Sequence, residues 1–159
     1  MNKLPNLESK FHFADKQVKF AAPEDGKGTT ILKKDGDEAT YTFHQFHFHS
    51  PSEHTLDGEH YDAEVHFVHI NEDDPDDLLV IGVLLDTDSG NWKSSVNFFD
   101  KFKFDEWVDW GREEAEENTK INIKKFLNEM DDKTFWHYPG SLTTPPCSEG
   151  VNWFLMRQV

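Results

Sequence analysis

The sequence predicts a mainly β fold in a single domain, and three observations carry that prediction. YTFHQFHFH, from Tyr41 to His49, and YDAEVHFVHI, from Tyr61 to Ile70, both alternate with the two-residue period of an extended strand. LLVIGVLL, from Leu78 to Leu85, is a short apolar run of strand length. Turn signals separate them: KKDGDE before the first, Asp57-Gly58 as a hairpin-type turn before the second, and the acidic NEDDPDD before the third. Three antiparallel strands in sequence are the economical arrangement.

The remaining elements follow in order. FHFADKQVKF, residues 11–20, reads as one strand, and APEDGKG, residues 22–28, as the loop after it. On the next strand Tyr41, Phe43, Gln45, His47 and His49 share one face, with Phe46 and Phe48 on the other. Between Asn91 and Trp110, Trp92, Val96, Phe99 and Lys103 recur at spacings of three and four, which predicts an amphipathic helix. GREEAEENTK, residues 111–120, reads as a solvated helix end or loop. Beyond INIKKFLNEM, Pro139-Gly140 and Pro145-Pro146 punctuate the chain, and VNWFLM predicts a final strand.

Composition narrows the function. A chain of 159 residues fits one core, and its 14 phenylalanines make that core aromatic. Thirty-one acidic against 16 basic residues give a net charge of -15, which repels nucleic-acid phosphates and anionic membranes and favours solubility. No apolar run approaches the roughly 20 residues of a membrane span, and MNKLPNLESKF has no hydrophobic region of the signal-peptide kind. Cys147 is the only cysteine, so no internal disulfide forms.

QFHFHSPSEH, Gln45 to His54, concentrates the chemistry. Residues two apart on a strand point the same way about 6.6 Å apart, so His47 and His49 can address one metal. The following strand carries Glu64, His66 and Val68 on one face, and His66 can complete a three-histidine set across an antiparallel pair. Three imidazoles leave a fourth tetrahedral position open, the mark of a catalytic zinc rather than a closed structural one; copper, iron and nickel also accept imidazole. Gln45 and Glu64, each two residues before a histidine of this set, are placed to accept an imidazole N–H.

QFHFHSPSEHTLDGEHYDAEVHFVHIN, together with YPGSLTTPPCSEGVNW, resembles the α-class carbonic anhydrases, and weaker similarity joins the two blocks from about Phe11 to Trp153. The resemblance implies a large, twisted, mostly antiparallel sheet with a few peripheral helices. It implies reversible hydration of carbon dioxide to bicarbonate and a proton by zinc-bound hydroxide. His47, His49 and His66 then correspond to the zinc ligands, and Gln45 and Glu64 to the residues that orient them. Thr143 corresponds to the hydroxyl that orients the nucleophile, Glu53 to the carboxylate receiving its proton, and Thr144 to a neighbour of the substrate. Val68, Val80, Leu142, Val151 and Trp153 correspond to the apolar wall against which carbon dioxide binds. His54 falls outside this set and is expected to make structural hydrogen bonds.

The departures are also informative. Ala14 stands where many family members carry a proton-shuttling histidine, which leaves His12 or buffer to do that work. By comparison with the family, residues 1–159 form one domain that lacks an additional N-terminal segment and the strands after the VNW block, and such a chain is expected to be marginally stable. Secreted members pair a cysteine at the position of Cys147 with one near the N-terminus, which hints at a secreted parent; the alternative is a buried free cysteine. Two rivals remain. HFHSPSE also fits the HxHxxxE spacing of cupins, but His66 follows DAEV within a strand rather than a Pro-x-Gly turn, and SLTTPP would then have no role. A non-catalytic module of carbonic anhydrase type is the other.

Overall fold

The computed structural model describes residues 7–14, 17–21, 28–34, 37–86, 114–121 and 123–157. In chain order the strands are β1 (Leu7–Ala14), β2 (Gln17–Ala21), β3 (Thr29–Lys34), β4 (Asp37–His49), β5 (Thr55–Leu56), β6 (Glu59–His60), β7 (Ala63–Asn71), β8 (Leu78–Leu85), β9 (Glu114–Ile121), β10 (Phe135–Ser141) and β11 (Glu149–Met156). Among the described residues there is one helix, α1 (Ile123–Glu129). A nine-stranded sheet runs in the order β10-β11-β8-β7-β4-β2-β1-β9, with β3 also on β4, while β5 and β6 form a separate hairpin. Among the described strands every pairing is antiparallel except β8 with β11. The three consecutive strands expected from alternation are β4, β7 and β8, paired antiparallel. The Asp57-Gly58 turn closes the small hairpin with φ of 54° and 87°, the two left-handed positions that a primed hairpin turn requires.

The period of two along β7 divides the molecule into two faces. Val65 and Phe67 point one way and join Phe46, Val83, Ile123, Phe126 and Met130 in the main core. Ile123, Phe126 and Met130 recur at helical spacing, so α1 lays one stripe on that side of the sheet. Phe46, Val65 and Phe67 are fully buried, each contributing about 1.5–3 kcal/mol of apolar transfer. Glu64, His66 and Val68 point the other way.

Parity fails within β4. The β4–β7 register shifts between Phe43 and Gln45, a bulge at His44. Phe43 therefore joins the main core with Phe46, on the side away from Gln45 and His47, and the expected single face from Tyr41 to His49 is broken.

Other expectations need correction. Residues 11–20 are two strands, not one: Ala14 pairs with Gln17, and β1 and β2 form a hairpin. Alternation looks alike whether a strand continues or folds back, so only Asp15 hinted at a turn. The charged run at 111–120 contributes most of β9, which lies at the sheet edge on β1. An edge strand needs a partner on one side only, and charge there discourages further pairing. FWHYPGS is β10, the opposite edge among the described strands, a position where a proline is tolerated because one side needs no strand partner. Cys147 is exposed, on a surface turn, which overturns its reading as buried. The helix expected at 91–110 and the side chains of His12 and Ala14 lie outside the described residues.

The interior away from the site also holds a buried histidine. His69 packs its ring 5.4 Å from that of Phe43, and its Nδ1–H donates to the Phe67 carbonyl at 3.0 Å. Burial holds its pKa down at about 4, against an ordinary 6.5. The unfolded chain takes up this proton first, so stability present above pH 6.5 is lost as pH falls to 4, about 3 kcal/mol in total. We expect the melting temperature of metal-free protein to fall across that window. His69→Phe should flatten the fall; an unchanged slope would show that His69 is not buried neutral.

Candidate metal centre

Adjacent antiparallel strands place His47 directly opposite His66, and His49 opposite Glu64. The ring centroids stand 4.9 Å apart for His47 and His49, 5.2 Å for His47 and His66, and 4.7 Å for His49 and His66. One nitrogen from each can be chosen so that all lie within 4.8 Å of one another, close enough to converge on a single ion. His66 is 1% exposed and His47 9%, so the donors sit in a partly dry site.

Each orienting residue holds the imidazole two positions along its own strand rather than one across the sheet. Nδ1 of His47 donates to Oε1 of Gln45 at 2.9 Å, and Nε2 of His66 donates to Oε1 of Glu64 at 2.8 Å. Glu64 is fully buried. Its Oε2 accepts from the backbone amides of Glu53 and His54 at 3.0 and 2.9 Å, and its Oε1 also accepts from Nδ1 of His54 at 2.5 Å. Burial alone would raise the Glu64 pKa, but the hydrogen bonds from His54 and His66 outweigh it and hold the carboxyl well below the usual carboxylate range. His54, Glu64 and His66 also converge at metal-ligand distances, and this shared oxygen accounts for it.

His54 is fixed from both ends. Its Nε2 accepts from the Tyr138 hydroxyl, 84 residues away in sequence, and its ring lies edge-on to Trp153 at 5.1 Å. Burial, then the charges of Glu64 and Glu53, push the Tyr138 pKa up to about 12, so the phenol keeps the proton it donates. The sequence offered no signal for Tyr138, because the contact depends on β10 being a strand.

Val68, Val80, Val151 and Trp153 pack as one buried cluster with Leu142 against it, separate from the main core. Trp153 meets the His66 ring at 4.8 Å. Beside this wall lies a cavity of about 230 Å³ that Val68, Val80, Leu142 and Trp153 line and that Val151, packed behind them, does not; His44, Gln45, His47, Thr143 and Thr144 line it as well. The bulge brings His44 to this rim, which alternation alone did not show. Glu53 faces the histidines, with carboxylate oxygens 3.3 Å from Nδ1 of His49 and 4.0 Å from Nδ1 of His66. Among the described residues no hydrogen bond joins Glu53 to Thr143, which is exposed.

The model of the eukaryotic-type carbonic anhydrase family matches residues 2–159. The chain belongs to the carbonic anhydrase family. It is 37% identical over 123 residues to a carbonic anhydrase from Klebsiella pneumoniae, covering 76% of this chain and 45% of that protein. It is 31% identical over 119 residues to dioscorin DB3S from Dioscorea polystachya, covering 75% of this chain and 41% of that protein. Among solved structures, the α-carbonic anhydrase of Photobacterium profundum superposes with a TM-score of 0.72 at 28% identity, covering 98% of this chain and 64% of that one. The chain thus spans about half the length of the curated relatives it matches. The large, mostly antiparallel sheet is that of an α-class carbonic anhydrase. Among the described residues no helix is long and apolar enough to cross a membrane.

Proposed function

We propose that this chain binds zinc through His47, His49 and His66 and catalyses the reversible hydration of carbon dioxide to bicarbonate and a proton. The observation that carries the reading is the convergence of three buried or half-buried imidazoles beside a dry apolar wall, in a member of this family. The donor set fits the metal. Nδ1 of His47 is turned to Gln45 and Nε2 of His66 to Glu64, so Nε2 of His47 and Nδ1 of His66 are the atoms that would hold the ion, with Nε2 of His49. Bound zinc would supply a Lewis acid that lowers the pKa of its water to about 7, a value known for carbonic anhydrases as a class and not obtained from this chain.

The chain's own residues do the rest. Val68, Val80, Leu142 and Trp153, backed by Val151, would exclude water and receive the small apolar substrate, with Thr144 beside it. The Thr143 hydroxyl would donate to Glu53, so that its oxygen can only accept, and this would orient the attacking water. That relay requires the Glu53 carboxylate to turn from His49 towards Thr143. Thr143→Ala should therefore lower the hydration rate about a hundredfold with zinc content unchanged, as misplacing a reacting atom typically does. An unaffected rate would remove Thr143 from the mechanism.

The function is tested by metal content together with stopped-flow carbon dioxide hydration, using a sulfonamide as inhibitor. One zinc per chain with inhibitable hydration is expected. A second reading, a module that binds a small molecule without catalysis, draws on the similarity to dioscorin, which has been solved in complex with ascorbate. Bound zinc with no hydration would select it.

A further inference from the structure

Glu64 holds His66 from the middle of the sheet, where a neighbouring strand would ordinarily send a side chain into the same place. β8 presents Val80, Gly82 and Leu84 to this face, opposite Val68, His66 and Glu64 of β7. The one glycine of the three stands opposite the candidate ligand. A Cβ on Gly82 would lie 2.9 Å from Oε1 of Glu64, 3.2 Å from Cδ1 of Leu155 and 3.8 Å from Cδ2 of His66. The first distance is closer than real Cβ atoms approach an oxygen, so something would have to shift.

The carboxylate has little freedom to give way. Its Oε1 accepts from both His66 and His54, its Oε2 accepts from two backbone amides, and no part of Glu64 reaches solvent. Nor does the backbone explain the residue. Gly58 and Gly150 have positive φ, whereas Gly82 lies within β8 without one. A glycine inside a buried strand costs stability unless another group needs the close approach.

We infer that Gly82 is a positioning residue of the metal centre: the side chain it lacks is the space in which the Glu64 carboxylate sits to orient the His66 ring. The inference rests on the reading of His66 as a zinc ligand. Residues that orient metal ligands typically change metal affinity 10–100-fold when disturbed, so Gly82→Ala should weaken zinc binding by about that factor. The absorption spectrum of the cobalt-substituted protein should shift as well, because the His66 ring turns.

The experiment is zinc affinity by chelator competition, with the cobalt spectrum, on Gly82→Ala alone and combined with Leu155→Val. Shortening Leu155 relieves the packing contact but not the carboxylate clash, so the loss should persist. Recovery of affinity in the double variant, or native affinity in Gly82→Ala, would overturn the inference. A thermodynamic cycle on metal-free protein separates this from the zinc reading. With Leu155→Val in both backgrounds, Glu64→Ala/Gly82→Ala should melt no lower than Glu64→Ala, since the clashing oxygens and the Leu155 contact are both gone, and this comparison needs no folded Gly82→Ala. A further fall there overturns the inference, whereas absence of zinc from the native protein counts against the metal reading alone.

Discussion

Replacing His66 with alanine is expected to abolish stoichiometric zinc and reduce carbon dioxide hydration to background. His66 is the most buried of the three candidate ligands, pairs directly with His47 across β4 and β7, and is held at Nε2 by Glu64. Removing it takes away one donor and also the group that Glu64 orients. The loss in zinc affinity should exceed the 10–100-fold that follows disturbance of an orienting residue alone. Chelator competition measures the affinity, and a melting curve of the metal-free variant shows whether the fold survives. Retained stoichiometric zinc in a folded His66→Ala would show that the ligands lie elsewhere.

Much of this site was legible because its logic is local to two strands. HxH and ExH are spacings of two, and an extended strand converts that spacing into a shared face wherever it sits in a fold. The apolar wall was legible only through family resemblance, since Val68, Val80 and Trp153 read equally well as core. The bulge at His44 was not legible: one extra residue changes which face Phe43 occupies without changing the alternation of types. β9 and β10 were missed for a related reason. A charged run and a Pro-Gly pair argue against strand by propensity, but each lies at an edge of the sheet, where position overrides propensity. Gly82 sits in an apolar run that reads simply as a buried strand. Its role depends on an oxygen from the neighbouring strand, which no period within LLVIGVLL encodes.

Glu64→Ala should produce the largest loss of stability among single changes at the site, with a distinctive pH dependence. The carboxylate is fully buried and accepts four hydrogen bonds, two from backbone amides and two from imidazoles. Breaking such an arrangement by removing one partner costs about 3–5 kcal/mol, because the donors stay buried without an acceptor. In a domain of this size that lowers the melting temperature on the order of 10 °C. The sign of the pH effect follows from the depressed pKa. Glu64 contributes stability that is complete above its unfolded-state pKa of about 4.3 and is lost as pH falls through that value towards the lower folded one. The gap between native and Glu64→Ala melting temperatures should therefore be widest near neutrality and close as the solution is acidified below about pH 4.3. His69 titrates in both proteins and cancels from the difference. A gap that stays constant from pH 7 to pH 3 would mean that Glu64 is not held as the anion, and the orientation of His66 would then need another source.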